Sequence, residues 1–137
     1  MGVSRMAARR QAVFLLYQRD VTGLPAGELE DNAERERGRA LDAYTREVVG
    51  GVIEEIATID EAIDHAASGW SVERIAPLER NILRVAVHEL RSRPDIPTAV
   101  AIDEAVEMAK RYCQADAPGF VNGVLGTVVR AEGSAVE

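Results

Sequence analysis

From Leu41 to Ala67 the apolar residues Tyr44, Val48, Val52, Ile56, Ile59 and Ile63 step in threes and fours, with Glu47, Glu54, Glu55 and Glu61 between them. Such spacing places one apolar stripe along a helix and leaves a strand no consistent face. The same period returns along the chain. Met6, Val13, Phe14, Tyr17 and Val21 mark a helix from about Ser4 to Val21, and Leu78, Ile82, Val85, Ala86 and Leu90 mark one that opens at Pro77 and ends before Pro94. Ile102, Ala105, Val106 and Ala109 mark another, and a last helix runs from about Pro118 or Gly119 to Arg130. The Glu/Arg-rich segment from Glu28 to Arg39 reads as a connector with a short helix at most, and no function is assigned to it. No strand signal competes, so the expected fold class is all-α, a single domain over residues 1–131 with a disordered tail over 132–137.

Two details of this pattern carry expectations. Gly50 and Gly51 interrupt the longest stripe, each at a helix cost of about 1 kcal/mol, which a close crossing by another helix backbone would offset. Trp70, just after the stop at Ser68 and Gly69, is expected to plug a gap between helices.

The formal charge of −7 argues against indiscriminate binding of nucleic acid, but its distribution is uneven. Residues 28–64 hold twelve acids against four arginines, whereas the first twenty residues carry Arg5, Arg9, Arg10 and Arg19 against Asp20 alone. Arg5 and Arg9, one turn apart, give the first helix an expected basic flank. Fifteen of the sixteen basic residues are Arg, which forks onto phosphate oxygens and stacks on bases; solubilising charge is the plainer reading of any one of them.

Catalysis has little support. His65 and His88 stand without a nucleophile or a ligand set, and no Gly-rich loop follows a strand, so neither metal nor cofactor is expected. Cys113 is the only cysteine, which excludes an internal disulfide and fits a cytoplasmic protein. No apolar run approaches the length of a membrane span. Binding has better candidates around the break between the last two helices. Asp116 suits an N-cap, Gly123 close helix packing and Asn122 a bond to a loop. Phe120 fits either core packing or stacking on a base.

ERNILRVAVHEL (Glu79–Leu90), PDIPTAVAIDEAVEMAKRY (Pro94–Tyr112) and GFVNGVLG (Gly119–Gly126), behind an Arg-containing helix with FLLY (Phe14–Tyr17), resemble the NusB family of transcription antitermination factors. The resemblance implies two small helical bundles packed across each other, no enzymatic activity, and a complex with the small-subunit ribosomal protein NusE. It implies further that the pair binds boxA-type RNA and joins RNA polymerase in complexes that suppress termination, notably in ribosomal RNA operons. Some members also form homodimers, so a second copy of the chain is a further candidate partner.

By position, Arg5, Arg9 and Arg10 match the family's basic RNA-binding segment, thinned here by Met6, Ala7 and Ala8. Tyr17 and Glu79 match positions linked to partner and RNA, and Tyr112, Asp116 and Phe120 match the RNA-contacting end. Gly119 stands where some members carry a basic residue before the Phe. The resemblance thus gathers Phe120, Tyr112 and Tyr17 near a few arginines as one small platform. Two other readings remain open: a helical protein-interaction module without RNA, and a piece of an RNA cytosine methyltransferase, some of which carry a NusB-like domain.

Overall fold

In the computed structural model, which describes residues 4–136 and their side chains as far as Gly133, every regular element is helical. In order these are α1 (Arg5–Thr22), α2 (Ala26–Arg37), α3 (Ala43–Glu54), α4 (Ile56–Ala66), a 3-10 turn (Val72–Arg74), α5 (Pro77–Ser92), α6 (Thr98–Tyr112) and α7 (Ala117–Val136). α1, α2 and α3 form one group, with α2 and α3 both packed on α1, and α4, α5, α6 and α7 form the other. α5 joins them, since it packs against α1 and α3 on one side and α4, α6 and α7 on the other.

That position explains why α5 departs from a simple stripe. Nine consecutive residues, Asn81 to Glu89, are buried, so the helix is enclosed on all sides and its polar residues are enclosed with it. Charges so placed must be paired. Arg84 donates to both oxygens of Asp60 at 2.8 and 2.9 Å and to Asp20 at 2.8 Å, while Asn81 and Arg80 each reach Asp20 at 3.0 Å. Burial raises the Asp20 carboxyl, but the Asn81 hydrogen bond and the Arg84 and Arg80 charges outweigh it and hold the group below the usual carboxylate range. Three helices, α1, α4 and α5, are thereby clamped together by side chains distant in sequence.

Several expectations change. The stripe read as one helix over 41–67 is two, broken at Glu55 (φ −112°, ψ 23°) and not at the glycines. A Cβ on Gly51 would lie 2.8 Å from His88 Nε2, and closer still to Cε1, so Gly51 makes room for a ring, not for a backbone; Gly50 faces open space. In α1 the buried face is Ala8, Ala12, Val13, Leu15 and Leu16, whereas Met6 and Val21 are exposed. Trp70 plugs no gap: it is 53 % exposed. The expected tail continues α7 to Val136, Glu132 meeting Arg91 at 2.7 Å; Glu137 lies outside the described residues.

Candidate nucleic-acid interface

The loop from α4 to α5 builds one wall of the most suggestive opening. Gly69 adopts a left-handed conformation (φ 83°) that a side chain would strain, and it turns the chain so that Trp70 stands outward. The following 3-10 turn is tied down on both sides: Val72 N–H donates to Asp64 at 2.6 Å, and Arg80 reaches Val72 O at 3.3 Å. Trp70 and Arg74 are therefore exposed side chains on a held backbone.

The facing wall is the break between α6 and α7. Asp116 occupies the cap position, its carbonyl accepting from Phe120 N–H at 3.3 Å. Between the walls lies an open cleft of about 330 Å3, into which Glu79 projects from the first turn of α5 beside Gln114, Asp116 and Phe120. Phe120 is half-buried and packs against the core, so the two sequence readings of it coexist: one side supports α7 and the other borders the cleft. Burial raises the Glu79 carboxyl above its ordinary range, and the nearby Asp116 charge adds to this. Burial and Glu79 also push the Cys113 thiol up to about 11, which leaves it protonated near neutrality.

The remaining expected residues lie elsewhere. Tyr112, 37 % exposed, meets Phe14 edge to face with ring centres 5.1 Å apart, and lines a smaller opening with Arg10, Arg111 and Met6. Tyr17 is half-buried on α1 and does not line the Phe120 cleft. The single aromatic platform is thus corrected to separate openings. Arg5 stacks over Tyr44 at 3.9 Å from the ring centre and stands 3.9 Å from Asp95.

Arg9 overturns the expected exposed basic flank. Only 5 % exposed, it donates through Nε to both oxygens of Glu89 at 2.8 and 2.9 Å, and Glu89 also accepts the Tyr44 hydroxyl. Glu104 stands 3.6 Å away on its other side. The reason lies in α5: Glu89 is fully buried, and an arginine on the adjoining face of α1 is its counter-charge. Trp70, Arg74 and Gln114 are the cleft residues that sequence reading missed. Trp70 does carry a signal, as an aromatic in a polar loop after Ser68-Gly69, but in a linear reading that signal points to packing.

The chain matches the NusB family over residues 6–130. It is 45 % identical over 123 residues to the transcription antitermination protein NusB of Rubrobacter xylanophilus, covering 90 % of this chain and 88 % of the relative. Among solved structures, NusB of T. maritima superposes with a TM-score of 0.85 at 30 % identity, covering 95 % of this chain and 93 % of the other. A chain from a crystal structure of the antitermination factors NusB and NusE in complex with dsRNA gives 0.80 at 30 % identity, covering 93 % and 96 %.

Proposed function

Because the chain belongs to the NusB family, we propose that it is a transcription antitermination factor that binds boxA-type RNA together with NusE and supports processive transcription of ribosomal RNA operons. The observation that carries this reading onto particular residues is the cleft beneath Trp70. It brings together Glu79, Asp116 and Phe120, three positions that the family resemblance ties to RNA and partner and that are spread over more than forty residues of sequence.

The chemistry suits a single-stranded segment. Unstacked bases bind by aromatic stacking and by hydrogen bonds to their exposed edges, and the cleft offers Trp70 and Phe120 for the first and Gln114, Glu79 and Asp116 for the second. Arg74 supplies a cation at the rim for phosphate. The two carboxylates repel the rest of the backbone, so RNA affinity of the protein alone stays low and a basic partner such as NusE raises it. Nothing in this role needs a catalytic step: the protein works as a cytoplasmic adaptor between nascent RNA, NusE and the RNA polymerase complex. No described helix is long and apolar enough to cross a membrane.

A labelled boxA RNA titrated with the protein alone and with NusE, across a salt series and against a duplex of the same sequence, tests this. Salt-sensitive binding that favours the single strand and tightens with NusE is expected. No binding under either condition would overturn the reading and leave a helical module that contacts proteins only.

A further inference from the structure

Arg9, Arg46, Arg80, Arg84, Arg91 and Arg93 each hold a carboxylate oxygen within 3.0 Å. Against that background the side chains of Arg10, Arg37 and Arg39, like those of Arg74 and Arg111, have no ion-pair or hydrogen-bonding partner among the described residues. The first three also share one place. The three line a cleft of about 340 Å3 between α1 and the loop from α2 to α3, together with Gln11, Phe14 and Thr45.

The local backbone shows why they meet. Arg37 ends α2, and Gly38 takes the left-handed conformation (φ 71°) with its N–H on Glu34 O at 2.9 Å, which turns the chain and presents Arg39 to the same opening. Glu34 then anchors the far side of the loop by accepting Leu41 N–H at 2.8 Å. Asp42 is the acid lining this cleft, and its Oδ1 is engaged as the cap of α3 by Tyr44 N–H at 2.8 Å. Arg37 also borders a neighbouring opening that contains Glu36, without an ion pair between them.

We propose that Arg10, Arg37 and Arg39 form a phosphate-binding cradle that holds the RNA backbone away from the Phe120 cleft. The inference rests on the RNA-binding role proposed above and extends it to α2 and its loop. Three guanidiniums against one carboxylate, already engaged, attract phosphodiester groups, and the fork geometry of Arg suits their oxygens. None of the exposed large apolar side chains lines the opening, so it lacks the anchor that a protein partner needs. Phe14 is half-buried and its ring is already engaged at a near right angle by Tyr112, so the guanidiniums are the groups the cleft offers to a ligand. The contact is therefore independent of sequence. Arg10 lines both this cleft and the Tyr112 opening, which gives the strand a continuous basic path.

The test compares the wild type with an R37Q/R39Q variant, Arg37 being half-buried at the end of α2 and Arg39 exposed, on boxA RNA carrying flanking nucleotides, over a salt series. Thermal melting checks that the fold is kept. Each lost phosphate contact lowers the slope of log affinity against log salt by about 0.7 for a single strand, so the double variant is expected to be shallower by about 1.4 and to bind several-fold more weakly. Scrambling the flanks should leave that loss unchanged. Arg35→Gln, which removes an exposed charge of the same helix whose guanidinium is bonded to Asn32, should keep the wild-type slope. An unchanged slope in the double variant overturns the cradle, as does an equal loss per charge in Arg35→Gln. So does a loss of NusE association with the RNA slope intact, which assigns the cleft to protein. Wild type that binds no RNA at all would remove the preceding reading as well, so the two failures are distinguishable.

Discussion

Arginine does two different jobs in this molecule, and the contrast between its interior and its surface shows how little residue type alone reveals. Arg9 and Arg84 are buried, each locked to carboxylates from other helices, and they hold α5 against its neighbours. Arg10, adjacent to Arg9 in sequence, lines two open clefts and is bound to nothing described. A buried guanidinium cannot turn to a phosphate without stranding its partner in the interior, whereas an exposed one loses only water. Substitutions inside should therefore move stability, and substitutions outside should move the strength and salt dependence of binding.

Glu89→Ala puts this division under the greatest load. It leaves the Arg9 charge and the Tyr44 hydroxyl without their buried acceptor. Removing one member of a buried pair costs about 3–5 kcal/mol, which urea unfolding will read directly. Arg9→Ala belongs to the same class and should destabilise the chain while leaving the salt slope of RNA binding unchanged. A fully stable Arg9→Ala with a flatter slope would restore the exposed role suggested by its place in the basic segment.

Next in size is the glycine pair of α3. An alanine at Gly51 meets the His88 ring, and overpacking of this kind costs about 1–3 kcal/mol, whereas Gly50→Ala in open space should stabilise the helix by up to about 1 kcal/mol. Thermal melting of the two variants should thus shift in opposite directions. Shifts of the same sign would mean that the ring does not press on the helix.

At the surface, Phe120→Ala should weaken RNA binding by about 1–3 kcal/mol, the usual worth of one stacked base, with a smaller loss of stability because the ring is only half-buried. Trp70 gives an independent reading. It is the only tryptophan in the chain, so its fluorescence should fall as RNA fills the cleft, and Trp70→Ala should weaken binding with little effect on melting. Quenching by NusE in the absence of RNA would reassign that wall to the protein partner.

Helical content and the main stripes were legible because burial on one face leaves a period that the side chains must follow. The enclosed helix α5 was only half legible, since a helix buried all round hides its far face among Asn81, Arg84 and Glu89, residues that look solvated in a linear reading. The break at Glu55 left no sequence mark, while the adjacent glycines left a misleading one. For the candidate site, the family motif supplied Glu79, Asp116 and Phe120. Trp70 reads as packing and Arg74 as ordinary charge because their exposure depends on a loop held by Asp64 and Arg80, contacts between residues eight apart that no periodicity displays. Arg9 and Arg10 are adjacent letters separated by the rotation of one helical residue, about 100°, which is enough to put one inside and the other outside.

The smallest expected effect separates inside from outside by pH. His88 is buried with Nδ1 unpartnered among the described residues, and burial lowers its pKa, against the opposing pull of Glu89, Glu55 and Glu47 and with a further push from Arg93. The unfolded chain takes up this proton near pH 6.5 and the folded chain only at lower pH. Its contribution to stability is therefore complete above about 6.5 and is lost as pH falls from there through the folded value. Asp20, held low, begins to lose its own contribution only below about 4, while the raised Glu30 and Glu79 act in the opposite sense because the folded state binds their protons first. A decline in melting temperature between pH 6.5 and 5 thus belongs to the interior histidine. His88→Gln should flatten it, and an unaltered decline in that variant would place the proton uptake elsewhere in the chain.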